Sequence, residues 1–221
     1  MAEMFSWVAP RYDLVNDLAS LGQDRFWRLN LVDALAPQAG EIILDLAAGT
    51  GASSQPIARS GAIVIATDLT EDMVRVGQKR HRDRIFVVGD ALALPYSNGA
   101  FDAATISFGL RNVLDPELVL LELKRVVRPG GTLVICEFST PTSPVVRFLN
   151  KTWLRMAVPV VSRSFSSNAP AYSYLSESIL DWPDQRSLAL MLEAAGWVNI
   201  QWRNLTGGIV TLHRATRPPQ E

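Results

Sequence analysis

The stretch Ile42-Ile-Leu-Asp-Leu-Ala-Ala-Gly-Thr-Gly51 decides the fold. Its first half, Ile42 to Leu46, is a short, largely apolar run, as expected of a strand buried on both faces. Its second half is a turn of small residues. Such residues let the backbone approach a ligand closely, and a helix that follows presents free N–H groups at its start. A nucleotide-like ligand is therefore expected at the strand's carboxyl end.

The same alternation continues outward from this unit. Pro56 to Arg59 belong to a short helix, and Ala62 to Thr67 form a second strand. Thr70 caps a helix that runs to about His81, with Glu71 and Asp72 in its first turn. Ile85 to Val88 and Ala103 to Ser107 read as the third and fourth strands. Pro116 to Val127 is a helix that Pro129-Gly130-Gly131 is expected to stop, and Thr132 to Phe138 is the fifth strand. After a helix from Gln185 to Ala195, Trp197–Leu205 and Ile209–Arg214 are strands joined through Thr206-Gly207-Gly208. That connection is too short for a crossover, so the two should be antiparallel. The pattern predicts an α/β, Rossmann-like fold with a mostly parallel seven-stranded sheet and an antiparallel C-terminal strand pair.

Two segments stand outside this rhythm. Residues 1–36 carry Phe5, Trp7, Tyr12, Phe26 and Trp27 and read as N-terminal capping helices on the substrate side. Residues 140–184 are rich in Pro and Ser and read as a helical lid or substrate insertion. Both are taken as parts of a single domain, 1–221.

Composition narrows the class. Of 221 residues 48% are hydrophobic and 19% charged, enough for a sizeable core and against wholesale disorder. The formal net charge of -1 gives no electrostatic footprint for nucleic acid. The lone cysteine, Cys136, lies in an apolar run and reads as a buried structural thiol. His81 and His213 are too isolated to suggest a metal site, and no metal is expected. No signal peptide or spanning run is read, so the expectation is a cytoplasmic protein.

The turn itself selects among cofactors. A dinucleotide fingerprint of the form G-x-G-x-x-G/A would need Gly or Ala at position 54, where the chain has Ser54. Asp45, Ala47, Gly49 and Gly51 instead fit the pattern of methyltransferases that use S-adenosylmethionine, with Ala47 where glycine is commoner. The turn alone leaves the cofactor open. Asp68, ending the second strand before Leu69, adds a carboxylate that can accept both ribose hydroxyls, although a capping role is the structural alternative. Asp90 can accept from an adenine amino group while Ala91 leaves room for the ring.

Phe101-Asp-Ala-Ala-Thr-Ile-Ser-Phe-Gly-Leu-Arg-Asn-Val113 is the most specific segment. It resembles the fourth-strand motif of the ubiquinone/menaquinone biosynthesis C-methyltransferases. Ala9–Asn16, Arg128-Pro-Gly-Gly131 with Glu137-Phe-Ser139, Tyr172–Ile179 with Pro183-Asp-Gln185, and Asn204–Val210 with Leu212-His-Arg214 resemble further signatures in order. Ala52 departs from the family's usual aspartate, and Ser166-Ser-Asn168 from a Gly-containing stretch. The resemblance implies a class I methyltransferase that passes the methyl of S-adenosylmethionine to a ring carbon of a prenylated quinol. It points first to demethylmenaquinol, with the benzoquinol of ubiquinone biosynthesis as the alternative. It also implies cofactor contacts at Thr50, Asp68, Asp90, Ala91 and Ser107, and catalytic roles for Arg111 and Asn112.

The chemistry gives those roles a reason. A quinol ring carbon becomes nucleophilic when the adjacent hydroxyl loses its proton, so the site must orient the ring and stabilise an oxyanion. Arg111 stays cationic and can do this, and Asn112 can bind a quinol oxygen; a salt bridge is the structural alternative for Arg111. Glu137 is a further candidate to face the pocket. Tyr172 and Tyr174 are candidate ring contacts, with core packing as the alternative, and His213 reads as structural. Phe148, Trp153, Leu154 and Met156, interleaved with Arg147, Lys151 and Arg155, could dock on an anionic bilayer, or could be an amphipathic helix packed on the sheet. A homodimer is the other candidate partner. The rival functions are methylation of another small lipid, a non-catalytic S-adenosylmethionine-binding module, and an NAD oxidoreductase, which the glycine spacing opposes.

Overall fold

The computed structural model describes residues 20, 22–157 and 176–219. Its frame is a seven-stranded sheet in the order β3-β2-β1-β4-β5-β7-β6. The strands are β1 (Ile42–Leu46), β2 (Ile63–Asp68), β3 (Ile85–Val88), β4 (Phe101–Ser107), β5 (Val127–Phe138), β6 (Val198–Leu205) and β7 (Val210–Thr216). The first five run parallel, and β7 is antiparallel to both β5 and β6. The antiparallel pair is thus as expected, while β7 alone runs against the rest of the sheet.

The sheet is covered on both faces, which is why its strands lack a polar side. On one face Ile43, Val134, Cys136, Val210 and Leu212 pack with Trp27, Leu31 and Leu35 of α1 (Gln23–Leu35). On the other, Leu44, Leu46, Ile106, Leu133 and Ile135 meet α4 (Pro116–Val126) and α6 (Gln185–Ala194). Each fully buried aliphatic side chain contributes roughly 1.5–3 kcal/mol. Helix ends are fixed by local chemistry. Asp115 accepts from the Leu118 amide at 3.0 Å with Pro116 inside the first turn, and Asp184 accepts from the Ser187 amide at 2.9 Å. Trp197 is buried and donates its indole N–H to the Leu120 carbonyl at 3.1 Å, tying the last helix and strand to α4.

One boundary differs from expectation. The Pro129-Gly-Gly131 stretch does not separate α4 from β5; the helix ends at Val126 and the chain enters β5 at Val127. Proline and glycine survive here because the register against β4 is broken between Phe101 and Ala103. At Gly131 an added Cβ would lie 2.5 Å from the Asp102 carbonyl, so only glycine fits.

The topology also places the site. From β1 the chain moves one way to β2 and β3, then returns to β4 on the other side. That reversal opens a crevice at the carboxyl ends of β1 and β4. Onto it fold α2 (Ser54–Ala58), α3 (Glu71–Arg80), α5 (Pro144–Thr152) and a π-helical turn, Trp153–Ala157. Of the aromatic N-terminal segment only Phe26 and Trp27 fall among the described residues, both on α1.

Candidate functional site

The crevice is a cavity of about 1030 Å³. That lies at the upper end of the range for a ligand pocket. Its two ends differ in chemistry, one polar against the tips of β1, β2 and β3, the other apolar under α1 and α5.

At the polar end the Gly-rich turn is held in left-handed backbone conformations, with φ of 52° at Ala47, 56° at Gly49 and 86° at Gly51. An alanine in that region costs about 1–2 kcal/mol. Space for its methyl comes from Gly109, where an added Cβ would stand 2.5 Å from the Ala47 Cβ. Gly49 has open space where a Cβ would be, so a side chain there would project into the cradle. The Asp68 carboxylate accepts from the Gly49 amide and the Thr70 amide, each at 2.8 Å. Burial pushes its pKa up, and the hydrogen bonds from Thr70 and Gly49 oppose that. It remains on the cavity wall beside Leu69, with Thr50, Asp90, Ala91 and Ser107. Asp90 is exposed and orders its own turn by accepting from the Leu92 amide at 2.9 Å. The buried Ser107 hydroxyl has no hydrogen-bond partner among the described residues. A small-residue cradle, a carboxylate at its rim and a buried, unpartnered hydroxyl on a wall residue fit an adenosine-bearing cofactor.

Asp45 and Gly51 lie behind this wall rather than on it. Asp45 is fully buried and accepts from the Ser54 hydroxyl at 2.5 Å, which ties β1 to the start of α2. Burial raises its pKa to about 6, against the lowering effects of the Ser54 bond and the Arg28 charge. A Cβ on Gly51 would meet the Phe86 ring at 2.7 Å.

Arg111 and Asn112 sit in a 3-10 turn, Leu110–Asn112, just after β4, and both line the cavity. Arg111 Nη1 donates to Glu137 Oε1 at 2.9 Å and to the Phe108 carbonyl at 2.5 Å. Its backbone N–H donates to Glu137 Oε2 at 3.3 Å. Both partners of this ion pair are buried, and Glu137 itself does not reach the cavity wall. The guanidinium carbon stands 5.0 Å from the centroid of the Phe138 ring. Arg111 Nε is buried with no partner among the described residues. Asn112 Nδ2 donates to the Phe108 carbonyl at 3.3 Å.

The apolar end was only partly visible in the sequence. Phe108, at a φ of 55°, turns its ring to within 5.7 Å of Trp27 and 5.0 Å of Phe138. Leu149, Trp153, Leu154 and Ile179 extend the wall. Trp153 and Leu154 therefore face the cavity, whereas Val145 and Phe148 remain 67% and 70% exposed on the outside of α5. Sequence reading also missed Asp24 and Arg28, an i,i+4 pair on α1 that lines the cavity. Their helical spacing was the available signal, but it reads equally as a surface ion pair. His213 is buried, bonded to the Gln185 carbonyl at 2.8 Å, with burial depressing its pKa. Tyr172 and Tyr174, and the Ala9–Asn16 and Ser166–Asn168 stretches, lie outside the described residues. Among the described residues, no group of three His, Cys, Asp or Glu could hold a metal ion.

Known structures share this fold. A SAM-dependent methyltransferase from Thermotoga maritima aligns at a TM-score of 0.70 and 20% identity, covering 98% of this chain and 100% of that one. Phosphoethanolamine N-methyltransferase 2 of Haemonchus contortus, in complex with S-adenosyl-L-methionine, aligns at 0.65 and 14%, covering 87% of this chain and 52% of that one. Sheet order and neighbours together define the Rossmann-like fold of class I methyltransferases. Sequence then narrows the class. The chain belongs to the ubiE/COQ5 methyltransferase family, whose model matches residues 1–217. A relative from Streptomyces griseus named demethylmenaquinone methyltransferase is 52% identical over 217 residues, 98% of this chain and 94% of the relative.

Proposed function

We propose that this enzyme methylates a ring carbon of demethylmenaquinol with S-adenosylmethionine as donor. The observation that carries the reading is one continuous cavity running from the Asp68 carboxylate to the buried Arg111 guanidinium and on to an aromatic wall. Family membership and the relative's name supply the substrate.

The residues divide the work along that cavity. Asp68 accepts the ribose hydroxyls, Asp90 and Ala91 receive the adenine, and Gly49, Thr50, Leu69 and Ser107 complete the cradle. Asp45 and Gly51 hold the turn from behind, through Ser54 and Phe86. When bound, S-adenosylmethionine supplies an electrophilic methyl group. Arg111 stabilises the quinol oxyanion with Nε, while Glu137 and the Phe108 carbonyl fix its Nη1. Asn112 binds a quinol oxygen. Trp27, Phe108 and Phe138 exclude water and hold the ring against the donor. Leu149, Trp153, Leu154 and Ile179 receive the start of the prenyl tail. The described parts of the insertion, 140–157 and 176–184, close the tail end of the cavity, and Tyr172 and Tyr174, outside the described residues, remain candidate ring contacts.

Incubating the purified chain with labelled S-adenosylmethionine and either demethylmenaquinol or the benzoquinol substrate tests the reading, with product mass as readout. Methylated menaquinol is the expected product. Label transfer to the benzoquinol alone would replace the substrate, and transfer to neither would overturn the proposal.

A further inference from the structure

Resting on the reading that the cavity holds S-adenosylmethionine, we propose that Asp24 and Arg28 form the subsite for the donor's amino-acid end. The pair sits on α1, an element outside the nucleotide-binding sheet unit, and both side chains line the cavity. Arg28 Nε donates to both Asp24 carboxylate oxygens, at 3.1 and 3.0 Å. Arg28 Nη1 reaches the hydroxyl of Ser53, the residue just before α2. The two side chains are only 14% and 17% exposed, so this is not an ordinary surface ion pair.

The location fits the order of the ligand's parts. The Gly-rich turn begins at the Asp68 rim, where Gly49 donates to the carboxylate, and ends at Ser53 under Arg28. A donor whose ribose hydroxyls sit on Asp68 extends along that short turn and brings its α-amino and α-carboxylate groups to the far end. There it meets one fixed cation and one fixed anion, the complement of a zwitterion. A carboxylate arriving from the cavity finds the Nη edge of a guanidinium whose Nε is already committed, a preorganised fork. The ammonium finds Asp24. Arg28 is the cation left for this task, because Arg111 is fixed by the buried Glu137 carboxylate at the turn that serves the quinol. The Phe108 ring centroid lies 5.8 Å from the Arg28 guanidinium carbon, so the pair borders the aromatic wall of the same cavity.

Calorimetry with two nucleosides tests the assignment: S-adenosylhomocysteine, which has the amino-acid end, and 5′-methylthioadenosine, which lacks it. For Arg28→Ala the expected result is S-adenosylhomocysteine binding weakened by about tenfold to a hundredfold, the range for losing a hydrogen bond to a charged group. Methylthioadenosine binding should change less than about twofold, and Asp24→Asn should show the same selectivity to a smaller degree. If Arg28→Ala does not fold, Arg28→Gln takes its place with the same two readouts. Equal losses for both ligands, or no loss for either, overturn the subsite. If the unaltered protein binds neither nucleoside, the cofactor reading falls, and the subsite with it.

Discussion

Asp45 shows how one side chain can serve the site without touching it. Its carboxyl is buried under the turn, and burial raises its pKa from 3.8 to about 6. The native state therefore holds a proton that the unfolded chain releases between those values. The associated stability is fully present below pH 3.8 and is lost as pH rises through about 6. His213, with its pKa depressed by burial, works in the opposite sense, losing stability as pH falls below its ordinary range. Asp45→Asn keeps an acceptor for Ser54 and removes only the first effect. The melting temperature of Asp45→Asn minus that of the parent should rise between pH 4 and pH 7, by up to about 3 kcal/mol in stability terms. A difference that does not vary with pH would remove this role. Arg111 poses the complementary case. Deleting it strands the Glu137 carboxylate and costs about 3–5 kcal/mol, so Arg111→Lys is the sharper variant. It should lower turnover by about a hundredfold while calorimetric binding of S-adenosylhomocysteine stays nearly unchanged. Parallel losses in both would make Arg111 a structural residue.

Among elements, two turns are coupled by a single methyl group. Ala47, in the Gly-rich turn after β1, fits only because Gly109 after β4 has no side chain. Gly109→Ala should push apart the cofactor turn and the turn carrying Arg111, weakening S-adenosylhomocysteine binding and turnover together. Ala47→Gly in the same chain should restore both, and failure of that rescue would refute the coupling. Helix α5 raises a different question. None of its side chains is buried, yet it carries Val145, Phe148 and Leu149 with Lys151 and no acidic residue. We propose that it rests on an anionic bilayer, from which a prenylated substrate could enter beneath Leu149 and Trp153. Arg147 is partly withdrawn from this task, since Nε and Nη2 both hold the Pro141 carbonyl. Flotation with vesicles should retain the protein when acidic lipid is present, and Phe148→Asp should abolish retention. Absence of retention with acidic and neutral vesicles alike rejects the idea. Among the described residues no helix is long and apolar enough to cross a membrane.

At the scale of the whole molecule, the cavity is assembled from the ends of β1 to β5 together with α1, α5 and the residues that follow. A ligand filling it should brace both halves of the sheet. At a hundred times its dissociation constant S-adenosylhomocysteine should add about 2.7 kcal/mol, and the melting temperature should rise by roughly 5–10 °C. Adenosine alone should raise it less, and no shift with either compound would contradict a cofactor site at the sheet's edge.

The sequence by itself determined what depends on neighbours along the chain. Strand runs and the Asp45 to Gly51 turn followed by Asp68 are local patterns with local causes, whereas the caps at Asp115 and Asp184 emerged only with the structure. Those local patterns carried the α/β fold, the antiparallel pair and the donor class. The Pro129-Gly-Gly131 stretch misled because its extended backbone is held from far away in sequence: the Gly130 N–H donates to the Arg217 carbonyl and the Arg217 N–H to the Gly131 carbonyl. Only the tertiary structure decided which groups from distant segments became partners around the cavity. Arg111 with Glu137, Arg28 with Ser53, and the ring cluster of Trp27, Phe108 and Phe138 each join distant segments. Their chemistry depends on burial and orientation, which are set by how layers pack against the sheet, and residue order alone does not encode that distance.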